Sequence, residues 1–366
     1  MTATGQVVEP VAITGCGVVS TAGIGMDGLR ALMDGTREPH TGPAVADDVA
    51  YPPIRLRTVP QFSLAERLAR KGVRRLDRMT GFGLLASKEA LESAGLTGSA
   101  EPRAGIGVVA GTSTGSIRSF AQLSAELQVP DQRPVISPSL FPNIVLNCCA
   151  SQIAIWNNLH GPNATLAAGN VGGVSALRYG GNMIRRGHAD GMVIGGIEEL
   201  CPQLAWGWHR LGLVPAGGAL GEGAAFLLAQ RYPAQRPVLA ELLAAEVGYY
   251  GSQQPRASLV RGLARQIERA LTRSAVSADD VDVVSLGSGP SGIGWAERKA
   301  VVLALGRMPA TFAMTDLVGE CFSAAGAFQA AGLIARWSDG QHSGERVALL
   351  TSVGRDGNVG CAVLRR

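Results

Sequence analysis

Hydrophobic positions fall into two patterns along the chain. Short, nearly unbroken apolar runs read as buried strands: Val11 to Val19, Ala104 to Ala110, Ala164 to Ala168, His188 to Ile197, Leu220 to Gln230, Val281 to Ser285 and Val347 to Ser352. Between them, apolar residues recur at helical spacing. A Gly-rich turn from Ala22 to Gly25 feeds a helix from Met26 to Asp34, and Phe82, Leu85, Ala86, Ala90 and Leu91 mark a second helix that stops at Gly95. Small residues in GTSTGSIRSFAQLSAELQ lead into a third, and Val171, Val174, Leu177 and Ile184 define a fourth. Glu38 to Gln61, rich in Pro, Asp and Thr without periodicity, reads as an exposed loop, and Ala219 to Glu222 as a tight turn. Leu204 to Leu213 carries Trp206 and Trp208, aromatic surface suited to a core or a subunit interface. Strands alternating with helices make this an α/β chain.

The rest is organised around Gly161 to Gly187, GPNATLAAGNVGGVSALRYGGNMIRRG. A strand ends at Gly169 and a helix follows, with Gly172, Gly173, Gly180 and Gly181 keeping one face open to another backbone. Residue 170 therefore stands at a helix N-terminus, where free N–H groups and the dipole favour an anion or a lowered-pKa thiol. It is an asparagine, a residue also suited to capping the helix. The chain echoes itself. GAAFLLAQR from Gly223 parallels GCAVLRR from Gly360, and the helix opening at Gly169 has a counterpart at Gly319, in GECFSAAGAFQAAGLIARW. Two related halves are expected, 1–232 and 233–366, joined through the Pro-containing stretch from Tyr232 to Pro237.

Composition limits the function classes. With 366 residues, 46% hydrophobic and 17% charged, the chain can bury a large core. A net charge of +4 is too mild for a nucleic-acid binder, though a basic patch would steer an acidic carrier protein. Cys16, Cys148, Cys149, Cys201, Cys321 and Cys361 lack CxxC spacing or accompanying histidines, so reduced core cysteines and no metal are expected. The N-terminal glycines are followed by neither GxGxxG nor GK[ST], which argues against a nucleotide loop. MTATGQVVEP is no signal peptide and no apolar run reaches membrane-spanning length, so a cytoplasmic protein is expected.

These motifs resemble the β-ketoacyl-ACP synthases of the thiolase fold. In that family a GPxxxxxxxCxxG pattern places the nucleophilic cysteine at the tenth position, with the Gly of Gly-Pro as the first; counted from Gly161, that is Asn170. The resemblance extends from Val11 to Arg366, through the RxDR-like RRLDR, the GGxE-like turn before EELC and the GEGA-type strand LGEGAAFLLAQ. It implies duplicated α/β halves in a five-layered αβαβα sandwich. Two family histidines also fall on other residues: counting back from Glu297 puts Leu286 at the first, and GECFSAAG puts Glu320 at the second, with Thr315 at an accompanying lysine. An amide cannot form the acyl-enzyme. SVGRDGNVG replaces the loop with the gating phenylalanine, placing Arg355 at the gate, where ion pairing with Asp356 or Glu320 is expected.

The resemblance therefore implies a catalytically inactive chain-length factor of a type II polyketide synthase, without chemistry of its own. Such a subunit forms a heterodimer with an active ketosynthase and shapes the acyl tunnel, while an acyl carrier protein presents phosphopantetheine to the partner; no cofactor is bound. The divergence at Asn170 suits a highly reducing, polyene-forming system. By position, Thr112, Thr114, Ile117, Phe120, Leu140 and Phe141 set tunnel depth, or serve as plain interface packing. Arg67, Arg70, Lys71, Arg74, Arg75 and Arg78 form either a basic edge for the carrier protein or a solvated face, with Asp77 pairing locally. The alternative is an enzyme acting alone, a malonyl-thioester decarboxylase or divergent acyltransferase using Glu320, Asn170 or Cys321.

Overall fold

Two five-stranded units with one and the same strand order build the protein. In the first, Asn163–Ala167, Ile106–Thr112 and Gly191–Glu198 run parallel, followed antiparallel by Gly223–Gln230 and then Val11–Ser20. In the second, Ala310–Ala313, Val283–Leu286 and Val347–Val353 run parallel, followed antiparallel by Asn358–Arg365 and Ala240–Tyr249. The two units meet where Val11 pairs with Leu242 and Ile13 with Ala240, giving one eleven-stranded sheet among the described residues when the short strand Gly23–Ile24 is included. The computed structural model describes residues 6–43, 45–68, 72–96, 102–128, 141–212, 214, 217–234, 236–251, 256–288 and 293–366.

The helices supply the layers. Gly172–Arg185 and Ala325–Ser338 lie between the two units, each touching strands of both. Arg78–Ser93 and Cys148–Trp156 cover the outer face of the first unit, and Arg256–Ser274 and Gly294–Leu305 that of the second. This is the five-layered αβαβα sandwich that the resemblance implies. The strands are apolar throughout because both faces are covered. In Gly223–Gln230, Ala225, Leu227 and Ala229 point into the central core, while Ala224, Phe226 and Leu228 point into the outer one. The echoing strand Asn358–Arg365 does the same, with Ala362 and Leu364 inward and Val359, Cys361 and Val363 outward.

The inner helices touch through glycine. A Cβ on Gly173 would stand 2.7 Å from Ala327 N, and one on Gly326 2.9 Å from Val174 N, so only a bare backbone allows this crossing. No helix among the described residues is long and apolar enough to cross a membrane.

Local readings differ from the structure in three places. The segment from Glu38 to Gln61 is pinned, not a free loop. Arg55–Arg57 pairs in parallel with Ala219–Gly221, the stretch read as a turn, and Leu56 and Val59 are buried. The run around Ala164 is the sheet edge and only half-buried, because no strand among the described residues pairs with its outer side. Asn170 does not cap its helix. It sits inside a 3-10 turn, Gly169–Val171, and the α-helix that follows has no side-chain cap.

Candidate functional site

The two inner helices begin alike. Each follows a single 3-10 turn, Gly169–Val171 in the first unit and Phe322–Ala324 in the second. Both turns open on a left-handed residue, Gly169 at φ +50° and Phe322 at φ +42°. The structural counterpart of Gly169 is therefore Phe322, not Gly319 as the echo suggested, and that of Asn170 is Ser323. The openings are bonded together. Ser323 Oγ donates to Gly169 O at 2.6 Å, Ser352 Oγ donates to Asn170 O at 2.8 Å, and Glu198 accepts from Ser113 N at 2.6 Å and Ser323 N at 3.3 Å. Aligning the halves on their glycine contact, Gly173 against Gly326, is the sequence signal that would have found Ser323.

Asn170 Nδ2 donates to Glu320 Oε1 at 3.3 Å, and Phe322 N donates to the same oxygen at 3.0 Å. Glu320 keeps some accessible surface, but its carboxyl is enclosed by protein atoms. Burial raises its pKa to about 7, against the lowering effect of the Phe322 N–H and the Arg355 charge. Of the positions that the resemblance assigns to catalysis, the structure brings these two together. Leu286 ends its strand inside the outer core of the second unit, on the same side as Val284, and does not join them. Thr315 opens the short helix Thr315–Val318, its Oγ1 buried without a partner. Arg355 is exposed and forms no ion pair within 4.0 Å among the described residues; Asp356, the other expected partner, instead binds Asn358 N and Nδ2 at 3.1 and 2.7 Å.

An aromatic stack closes the side next to Glu320. The Phe322 ring lies 3.7 Å from that of Trp208, in a cluster with Leu200, Cys201, Leu204 and Leu220. A non-glycine residue at positive φ costs energy that surrounding contacts must meet. Sequence reading passed over Phe322, because nothing in a phenylalanine announces a left-handed backbone. Cys321 has no activated environment. It is fully buried, its thiol pKa raised well above the usual value by burial first and by Glu320 and Glu198 next.

The residues assigned to tunnel depth divide. Thr112 is buried at the end of its strand and accepts from Gly115 N at 3.1 Å, and Thr114 has a buried, unpartnered Oγ1. Ile117 packs against the Trp208 cluster. Phe120 and Phe141 are on the surface, 56% and 60% exposed. Leu140 lies outside the described residues. The helices Ile117–Leu127, Phe141–Ile144 and Cys148–Trp156 touch in sequence and end at the edge strand Asn163–Ala167, so Phe120, Phe141, Val145, Leu146 and Ile155 expose an apolar tract leading to that edge. Arg78 is no part of a free basic edge. It binds Glu222 at 2.6 Å and lies over the Phe82 ring, while Asp77 caps its helix through Thr80 N at 2.8 Å.

Comparisons with known proteins agree with this geometry. Residues 8–232 match the family model for the beta-ketoacyl synthase N-terminal domain. The oxytetracycline polyketide putative beta-ketoacyl synthase 1 of Streptomyces rimosus is 30% identical over 75% of this chain and 71% of its own length. The tetracenomycin polyketide synthase ketoacyl synthase beta subunit of Streptomyces glaucescens is 27% identical over 88% of this chain and 84% of its own. The solved ishigamide ketosynthase/chain length factor superposes with a TM-score of 0.83 at 29% identity, covering 98% of this chain and 99% of that one. Together with the duplicated sheet, the glycine crossing and the paired helix openings, these matches show that the chain belongs to the β-ketoacyl synthase family, among its ketosynthase-like type II polyketide synthase members.

Proposed function

We propose that this protein is a non-catalytic chain-length factor. It pairs with an active ketosynthase, completes the acyl tunnel across their interface and limits the number of malonyl units added. The observation that carries the reading is the Asn170–Glu320 hydrogen bond at 3.3 Å: an amide and a carboxyl occupy the helix opening where acyl transfer needs a thiolate and a histidine. Neither forms a thioester, and a carboxyl with a pKa of about 7 places no fixed positive charge beside an enolate. The exposed tract from Phe120 to Ile155 and the open edge of Asn163–Ala167 support a partner on that side, since an unpaired edge beside apolar surface is what a second sheet would continue. In this reading an acyl carrier protein delivers the phosphopantetheine-borne chain to the partner, and the product is a polyene.

The buried Cys321 thiol counts against an enzyme that turns over acyl thioesters through a cysteine, and leaves decarboxylation by Asn170 and Glu320 as the remaining enzymatic reading. Co-expression with an active ketosynthase, followed by co-purification and elongation with malonyl-ACP, separates the two. A one-to-one complex that elongates only when both subunits are present is expected. Release of carbon dioxide by this chain alone, with no complex formed, would replace the proposal with a decarboxylase.

A further inference from the structure

The outer layer of the second unit carries a groove of about 470 Å³ that the ketosynthase reading does not use. Val260, Arg298, Lys299, Val302, Leu303 and Met308 line it, between the helices Arg256–Ser274 and Gly294–Leu305. The inward face of Gly294–Leu305 is already satisfied by Ala296, Ala300, Val301 and Leu305, all buried. Val302 and Leu303 turn the other way, 44% and 56% exposed, with Met308 at 36%. These outward apolar residues, flanked by Arg298 and Lys299, make an amphipathic surface.

The rim indicates what covers it. No acidic side chain lines the groove among the described residues, and neither Arg298 nor Lys299 forms an ion pair there. Lys299 rests over the Trp295 ring at 5.1 Å. Arg307 bonds to the main-chain carbonyls of Asp279 and Val281, beside the exposed Asp279 and Asp280, and the neighbouring helix carries exposed Arg261 and Arg265 together with Glu268. We propose that this groove docks an acidic amphipathic helix of another protein. Its apolar side chains enter between Val260, Leu303 and Met308, and its flanking carboxylates meet Arg298 and Lys299. The site is shallow and open, so its cationic rim, not enclosure, is what selects an acidic partner. A second copy of this chain brings like charge, at +4 per molecule.

The test is an anisotropy titration of the full chain with a labelled, designed peptide of roughly four helical turns, leucines on one face and glutamates on the others. Saturable binding is expected, weakened about tenfold or more by Leu303→Glu and by the double change Arg298→Glu/Lys299→Glu, and lost when lysines replace the peptide's glutamates. Leu303 and Lys299 are exposed and Arg298 is half-buried without an ion pair, so the variants keep the wild-type melting curve. Absence of saturable binding, or equal binding by wild type and both variants, overturns the proposal. So does Leu303-dependent flotation with phosphatidylserine-containing vesicles, which assigns the face to a membrane, or Leu303-dependent self-association in sedimentation, which assigns it to a second copy.

Discussion

Asn170 and Glu320 hold each other at the point where the two halves of the protein open their inner helices, and the buried carboxyl makes that point sensitive to pH. Its pKa is raised from 4.5 to about 7, so between those values the folded protein binds the proton that the unfolded chain releases. Stability therefore falls as pH rises through that window, and the cost is fully present above it. Glu198, Glu199 and Glu297 are raised in the same direction, each mainly by burial, and add to the slope. Glu320→Gln removes one contribution. Its melting temperature is expected to exceed that of wild type at about pH 8 and to match it near pH 5; an equal gain at both would show that the carboxyl is not protonated by folding. A second change probes the lost chemistry. In Asn170→Cys the new thiol faces the Glu320 carboxyl and alkylates slowly with iodoacetamide, and adding Glu320→His is expected to speed it about tenfold or more; the six native cysteines are buried and give a low background. Counting from Gly161 and Gly319 singled out Asn170 and Glu320, and the structure brings the two side chains together. The partnership with the Phe322 N–H was not legible in the sequence, because it depends on a backbone conformation that the residue type conceals.

The elements follow from their patterns wherever pairing is local or both faces are buried. Strands such as Gly223–Gln230 and Asn358–Arg365 were recognisable as equivalents because duplication left the same run of small and branched residues in each. The short strand Arg55–Arg57 escaped notice, since its partner Ala219–Gly221 lies far along the chain and neither carries a period. The helix crossing gives the firmest prediction at this scale. Gly173→Ala drives a methyl group against Ala327 N at 2.7 Å, and an overpacked backbone contact costs roughly 1–3 kcal/mol. Urea unfolding should show that loss, whereas Gly207→Ala, whose Cβ meets nothing within 4 Å, should not. Phe322→Ala removes the stack on Trp208, with an expected loss of about 3 kcal/mol; no measurable loss would mean that the aromatic pair does not stabilise this turn.

For the whole molecule, the decisive feature is one sheet edge of a duplicated fold. The edge at Asn163–Ala167 adjoins an apolar tract, and that tract reads as a contact surface because Phe141 and Ile155, 60% and 68% exposed, have no core left to enter. The resemblance gave Phe120 and Phe141 to tunnel depth or to plain interface packing; within this chain they stand on the surface, and a tunnel would form only when a partner covers them. Ile155→Asp is therefore expected to abolish co-purification with the ketosynthase while leaving the circular dichroism of this chain unchanged. Retained binding would move the interface elsewhere. The most direct test of the account measures product length from the assembled pair supplied with malonyl-ACP, comparing wild type with Phe120→Ala and Phe141→Ala. Longer products at an unchanged one-to-one stoichiometry are predicted. An unchanged length distribution from an intact complex would contradict the claim that this subunit sets how far the chain grows.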